Sequence, residues 1–131
     1  MDDLYREVII EHYKNPAFRG KLDPHDLSFE DSNPLCGDHI QIDLRVDEKG
    51  VVSDARFDGQ GCAISQASAD LLLESVIGKS LDEIKVLNKD HILSLLGIDL
   101  GPVRLKCALL SLKVLKGGVY GMGSATDDLV E

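Results

Sequence analysis

Tryptophan is absent from this 131-residue chain, and phenylalanine and tyrosine contribute only three residues each. The core must therefore be aliphatic, built from Leu, Ile, Val and Ala. A chain of this length buries roughly two-thirds of its unfolded surface, enough for a core without covalent staples. No apolar run approaches the roughly 20 residues of a membrane span, and no membrane is expected as a partner. Basic charge is scarce too, with 14 Lys and Arg against 23 Asp and Glu and a net charge of -9. Phosphate binding needs a basic footprint, so no nucleic acid is expected as a partner. The chain lacks a P-loop, a Gly-x-Gly-x-x-Gly fingerprint and any Ser-His-Asp arrangement. Its start, Met1-Asp2-Asp3, is acidic where a signal peptide would be basic and then apolar, and predicts a cytoplasmic protein.

Cysteine is rare but informative. There are three, Cys36, Cys62 and Cys107, spaced 26 and 45 residues apart. An odd number implies a reducing compartment and argues against a disulfide framework. With no Cys-x-x-Cys pair, common zinc fingers and thioredoxin-type redox motifs are both excluded. If these thiols act together, the fold must gather them. Charge is uneven as well. Residues 1–65 carry 14 acidic and 7 basic side chains, whereas residues 66–126 carry 6 and 7. Arg104, Lys106, Lys113 and Lys116 thus form a small basic group in sequence around Cys107.

Hydrophobic periodicity predicts a helix over residues 4–14, ended by Asn15-Pro16. Leu27 and Phe29 alternate in a short strand over 27–31. His39 to Val46 alternates strictly, with Ile40, Ile42, Leu44 and Val46 against His39, Gln41, Asp43 and Arg45. Asp47-Glu48-Lys49-Gly50 is turn chemistry, and Val51 to Asp58 alternates again, which predicts an antiparallel hairpin. A flexible two-glycine loop, Asp58-Gly59-Gln60-Gly61-Cys62, then leads into a helix over 63–77 with Gly78 beyond its end. Ser80-Leu81-Asp82-Glu83 is a capping box opening a short helix, and residues 89–96 form another, stopped by Gly97. Pro102 suits the first turn of a last helix running to Lys116 and ended by Gly117-Gly118. The expectation is one α+β domain over 1–131: a small antiparallel three-stranded sheet with helices packed on one face. Residues 119–131 are expected to be a flexible tail.

The chemistry-bearing residues lie at the junctions. Cys36 sits in Asn33-Pro34-Leu35-Cys36-Gly37-Asp38, where proline and glycine shape the turn, and Asp38 is near enough to share a site. Cys62 follows Gly61 at a helix N-terminus, where the dipole and free N–H groups favour a thiolate over a thiol. Cys107 lies on the last helix beside Arg104 and Lys106. Each has a plainer reading, since a lone cysteine is commonly a small buried hydrophobe. For Cys107, among Leu105, Ala108, Leu109 and Leu110, that reading carries about half the weight. Asp38 could simply cap a turn. Taken together, three thiolates and a carboxylate form a four-ligand set suited to Zn²⁺ or an iron–sulfur cluster. His39 follows Asp38 in a strand and points to the opposite face. His12, His25 and His91 read as surface or core histidines. Two other classes stay open: a structural zinc module, and a cysteine-nucleophile hydrolase using Cys36 or Cys62, which would need a histidine base.

Several segments together carry a resemblance that covers nearly the whole chain. They are Leu4-Tyr5-Arg6 through His12-Tyr13-Lys14-Asn15-Pro16, then Asn33-Pro34-Leu35-Cys36-Gly37-Asp38, Gly59-Gln60-Gly61-Cys62-Ala63-Ile64-Ser65-Gln66-Ala67-Ser68 and Arg104-Leu105-Lys106-Cys107-Ala108. In these the chain resembles the iron–sulfur cluster assembly scaffolds of the NifU/IscU type, and the SufU branch in particular. The resemblance implies a SufE/NifU-like fold and a protein that accepts persulfide sulfur from a cysteine desulfurase and builds or relays Fe–S units. It implies a metal site at Cys36, Asp38, Cys62 and Cys107, holding Zn²⁺ or a transient [2Fe-2S] or other cluster. It further implies Cys36 as the persulfide acceptor and Arg104 in docking or ligand exchange. Downstream Fe–S carriers or apo-protein acceptors would be the other partners. Lys106, where IscU-like proteins have a histidine, resembles the SufU branch. The 45 residues from Cys62 to Cys107 are instead an IscU-like length, without the extra segment usual in SufU-like proteins. A zinc-dependent sulfurtransferase relay that assembles no cluster of its own is the alternative implied.

Overall fold

The computed structural model of the chain describes residues 3–33, 37–97 and 100–120. Within them the order is α1 (Asp3–Lys14), β1 (Leu27–Asn33), β2 (Asp38–Val46), β3 (Val52–Gln60), α2 (Ala63–Val76), α3 (Leu81–Lys85), α4 (Lys89–Leu96) and α5 (Pro102–Tyr120). The strands form one antiparallel sheet, β1-β2-β3, as the alternating pattern predicts. Register aligns the apolar residues: Phe29 opposes Ile42, Ile42 opposes Phe57, and Leu44 lies between Leu27 and Ala55. Leu27, Phe29, Ile40, Ile42, Leu44, Ala55 and Phe57 thus belong to one core with the helices. Helix α5 packs on β1 and β2, α2 packs on β3 and α5, and α1 packs on α2. This is the expected α+β architecture. Among the described residues no helix is long and apolar enough to cross a membrane.

Local signals explain the element boundaries. In the hairpin turn, Asp47 Oδ1 accepts the N–H groups of Lys49 and Val51, and Gly50 takes φ +79°. The capping box of α3 is complete: Glu83 N–H donates to Ser80 Oγ, and the Glu83 carboxylate accepts Ser80 N–H. Asn88 caps α4, which ends at a left-handed Gly97. The segment after α1 covers the outer edge of β3. Phe57 N–H donates to Phe18 O, and Gly20 N–H donates to Phe57 O, both at 2.8 Å. An otherwise open sheet edge is thereby partly paired.

Three features differ from expectation. Helix α5 does not stop at Lys116 but runs through Gly117-Gly118 to Tyr120. A Cβ at Gly118 would lie 3.1 Å from Phe29 Cβ, so this glycine permits the close crossing of α5 over β1. Residues 119 and 120 of the expected tail are helical, and the rest of that tail lies outside the described residues. Asp58, Gly59 and Gln60 belong to β3, not to a loop, because Gly59 takes φ +134° with its Cα against the backbone of His39. Any Cβ there would meet His39 O at 2.0 Å.

Asp43, third, is buried although its strand position is on the polar face. The chain before β1 folds over it, and its carboxylate accepts Leu22 N–H at 3.1 Å and Ser28 Oγ–H at 2.7 Å. Burial pushes its pKa up, but the hydrogen bonds from Ser28, Leu22 and Gln41, with His25 nearby, hold it below the ordinary aspartate value.

Candidate metal centre

Three elements meet at one end of the sheet. Asp38 opens β2, Cys62 is the N-cap residue of α2, and Cys107 lies in the second turn of α5. One ligand atom from each lies within 4.8 Å of the other two. The sheet accounts for the first pair. Because β3 continues to Gln60, which pairs with His39, the chain leaves β3 beside the first residue of β2. Helix α5, lying across β1 and β2, supplies the third. Asp38 and Cys107 are buried, whereas Cys62 is exposed, so the group opens to solvent on the Cys62 side.

The Asp38 carboxylate also builds the turn into α2. Its Oδ1 accepts Cys62 N–H at 3.1 Å, and its Oδ2 lies 3.8 Å from Cys62 Sγ. An N-cap cysteine offers no side-chain oxygen to the first helical N–H groups. The carboxylate of Asp38, on the adjacent strand, takes up one of the nearby donors instead. Ser65 Oγ donates to Cys62 O at 3.0 Å, and Gln66 Nε2 donates to Gly61 O at 3.1 Å. Gly61 has no room for a side chain: a Cβ would sit 2.6 Å from Asp38 Oδ1 and 2.4 Å from Ser65 Oγ. The two glycines of the motif therefore serve close approach, one to the β2 backbone and one to the Asp38 carboxylate.

Of the site residues expected from sequence, Asp38, Cys62 and Cys107 are brought together. Cys36 lies outside the described residues, in the segment that joins the register partners Asn33 and Asp38. Arg104 is exposed near the start of α5, one turn before Cys107. The basic residues do not form one group around Cys107. Lys113 pairs with Asp31 at 3.8 Å. Lys116 is buried and donates to Leu87 O at 2.5 Å, and burial pushes its pKa down. His39 bonds to Ser32 and Glu30 across β1. His12, His25 and His91 bond to Asp70, Leu22 O and Ser75. Each histidine is thus bonded to a group other than Cys62, so among the described residues none is held as the base that a hydrolase using Cys62 would need; Cys36, its other candidate nucleophile, lies outside them.

Sequence reading missed the support around the group. Asp70 is fully buried on α2, and its carboxylate takes His12 Nδ1 at 2.5 Å and Phe18 N–H at 2.9 Å. Its one advance signal was a charged residue within the apolar run from Ala67 to Leu73. Arg19, next to Phe18 in the segment after α1, carried no signal.

Two sulfur donors and one buried carboxylate are a donor set for zinc or for iron. Zn–S bonds of about 2.3 Å imply donor separations of roughly 3.8 Å in a tetrahedron. The present group needs to contract by only about 1 Å to reach them. The residues fit such a group.

Comparison with known proteins gives a consistent picture. A family model described as "NifU-like N terminal domain" matches residues 4–125. The zinc-dependent sulfurtransferase SufU of Bacillus subtilis is 36% identical, with 91% of each chain covered. The iron-sulfur cluster assembly scaffold protein IscU of Thermotoga maritima is 39% identical over 86% of this chain and 90% of that one. Among solved structures, a putative iron-sulfur cluster assembly scaffold protein for the SUF system from Fervidobacterium islandicum superposes with a TM-score of 0.76. It is 28% identical, over 86% of this chain and 94% of that one.

Proposed function

The chain belongs to the NifU-like N-terminal domain family, and from this we propose that it is an iron–sulfur cluster assembly protein. In this reading it takes sulfur from a cysteine desulfurase in the cytoplasm and builds or relays Fe–S units for downstream carriers or apo-proteins. The observation that carries the reading is the convergence of Asp38, Cys62 and Cys107 from three elements to within 4.8 Å. Cys36 is proposed as the fourth ligand. It is two residues from Asp38, and two residues of chain span at most about 7 Å.

A bound metal would hold its cysteine ligands as thiolates. The rest falls to the chain. Asp38 keeps a hard oxygen among soft sulfurs, the weaker and more readily exchanged member of the set. Its second role, accepting Cys62 N–H, holds the Cys62 turn in place while the other oxygen is engaged or free. Exposed Cys62 marks the side from which cargo would enter and leave. Sulfur transfer is proposed at Cys36: its thiolate attacks the terminal sulfur of the partner's persulfide, forming a new S–S bond and releasing the partner's cysteine as thiolate. Arg104, exposed one turn before Cys107, is proposed for docking or ligand exchange.

The second reading is a zinc-dependent sulfurtransferase relay without cluster assembly of its own. The likeness to the Bacillus subtilis protein of that name favours it. Native mass spectrometry of tag-free, anaerobically purified protein separates the two. Iron with sulfide, lost on substituting Cys36, Cys62 or Cys107, is the result expected of a scaffold. A single zinc lost in the same variants would favour the relay. A bare wild-type chain that also takes up neither metal would overturn both. For the transfer step, Cys36→Ser should abolish desulfurase stimulation while the fold survives; full stimulation would refute Cys36 as acceptor.

A further inference from the structure

The segment after α1 does more than cover a sheet edge. Its Arg19 reaches both sides of the turn that carries Cys62. Nη2 donates to Gly59 O at 2.6 Å and lies 3.4 Å from Asp58 Oδ1, on the β3 side. Nη1 donates to Gln66 Oε1, on the α2 side. Gln66 in turn donates through Nε2 to Gly61 O. The guanidinium carbon lies over the Phe57 ring, 5.8 Å from its centroid. The segment itself is tied down independently of these contacts. Asp70 accepts Phe18 N–H and binds His12 of α1, and residues Phe18 and Gly20 pair with Phe57.

Gly61 and Cys62 are the two residues between β3 and α2, and their own side chains hold them only through the 3.8 Å contact of Cys62 Sγ with Asp38 Oδ2. Gly61 has no side chain, and Cys62 makes no side-chain cap. We propose that Arg19 is a positioning residue for Cys62: with Gln66 it clamps the Gly59–Cys62 turn from behind and sets how the Cys62 ligand is presented to Asp38. The planar fork of arginine suits this task, because its rigid donors reach two acceptors at once, which a lysine cannot do in the same geometry. The consequence for metal handling rests on the function proposed above; the clamp itself does not.

The test is site-resolved hydrogen exchange on the zinc-free full chain, read at the Cys62 amide, which donates to buried Asp38. Leu44 and Ala55 at the centre of the sheet serve as controls. Arg19→Ala should speed Cys62 exchange by roughly three- to tenfold, the range a lost hydrogen bond of ordinary strength gives, with the controls unmoved. Gln66→Ala, which leaves the Arg19 contacts to β3 in place, should give a smaller increase in the same direction. Arg19→Lys should recover only part of the protection. In the metal-loaded chain, Arg19→Ala should speed zinc release to a chelator by a similar factor. Unchanged Cys62 exchange in both alanine variants would overturn the proposal, as would a rise shared equally by the controls. Absence of bound metal from wild type would defeat the proposed function and leave the exchange result standing.

Discussion

Gly61→Ala is a sharp test of how the centre is built. The backbone of Gly61 is not in the left-handed region, so alanine meets no conformational penalty and the perturbation is purely one of space. The new methyl would lie 2.4 Å from Ser65 Oγ, 2.6 Å from Asp38 Oδ1 and 2.7 Å from Asp38 Cγ. Ser65 can rotate away at the loss of its bond to Cys62 O, about 1 kcal/mol. Asp38 must withdraw from Cys62 N–H and leave a donor unpaired, about 2 kcal/mol for a bond to a charged acceptor. The expected destabilisation is therefore roughly 3 kcal/mol, or on the order of 10 °C in Tm for a domain of this size. Urea unfolding of the zinc-free chain followed by circular dichroism measures it, and chelator competition measures the accompanying loss of zinc affinity. The same substitution in an Asp38→Ala background should cost only about 1 kcal/mol, because the larger obstacle is gone. An undiminished cost in that background, or a Gly61→Ala chain as stable as wild type, would refute the reasoning.

Asp38→Ala removes the ligand proposed as most exchangeable, so a cluster assembled on the chain should decay and transfer more slowly; unchanged absorbance decay and transfer rates would count against it. Asp70→Ala strips the buried acceptor from His12 and Phe18 N–H and should cost about 3 kcal/mol in urea unfolding, with a cost under about 1 kcal/mol inconsistent with the structure. Stability of the zinc-free chain should fall in two stages as pH is lowered. Burial, with Lys79 nearby, pushes His91 below its ordinary value of 6.5. As pH drops below 6.5 the unfolded chain therefore binds a proton before the folded one does, and stability declines. Asp43 is held below its ordinary 3.8, so its contribution is present above that value and is lost as pH falls through the lower folded value. His91→Asn should abolish the first stage alone in urea titrations across this range; a stage that persists in the variant would show that another group causes it.

Much of the fold was legible before any coordinates because its signals are local. Period-two alternation from His39 onward, the Asp47–Gly50 turn, the Ser80 capping box and Gly97 all act within a few residues, and the elements they predict are found. Of the four residues named together as a ligand set, Asp38, Cys62 and Cys107 are brought together, and Cys36 lies outside the described residues. What the sequence could not decide depends on neighbours distant in the chain. Gly118 reads as a helix stop until Phe29 is known to lie beneath it. Gly59 and Gly61 read as flexibility, yet they are where backbone and carboxylate come too close for a side chain. Asp43 sits on a polar strand face that only the preceding segment buries. Lys116, grouped with Cys107 by sequence, is carried by nine further helical residues to the carbonyl of Leu87. Alternation, capping and turn chemistry are properties of a stretch of chain. Burial and steric exclusion, and the meeting of Asp38, Cys62 and Cys107, are properties of surfaces brought into contact, and they exist only once α2 and α5 have packed on the sheet.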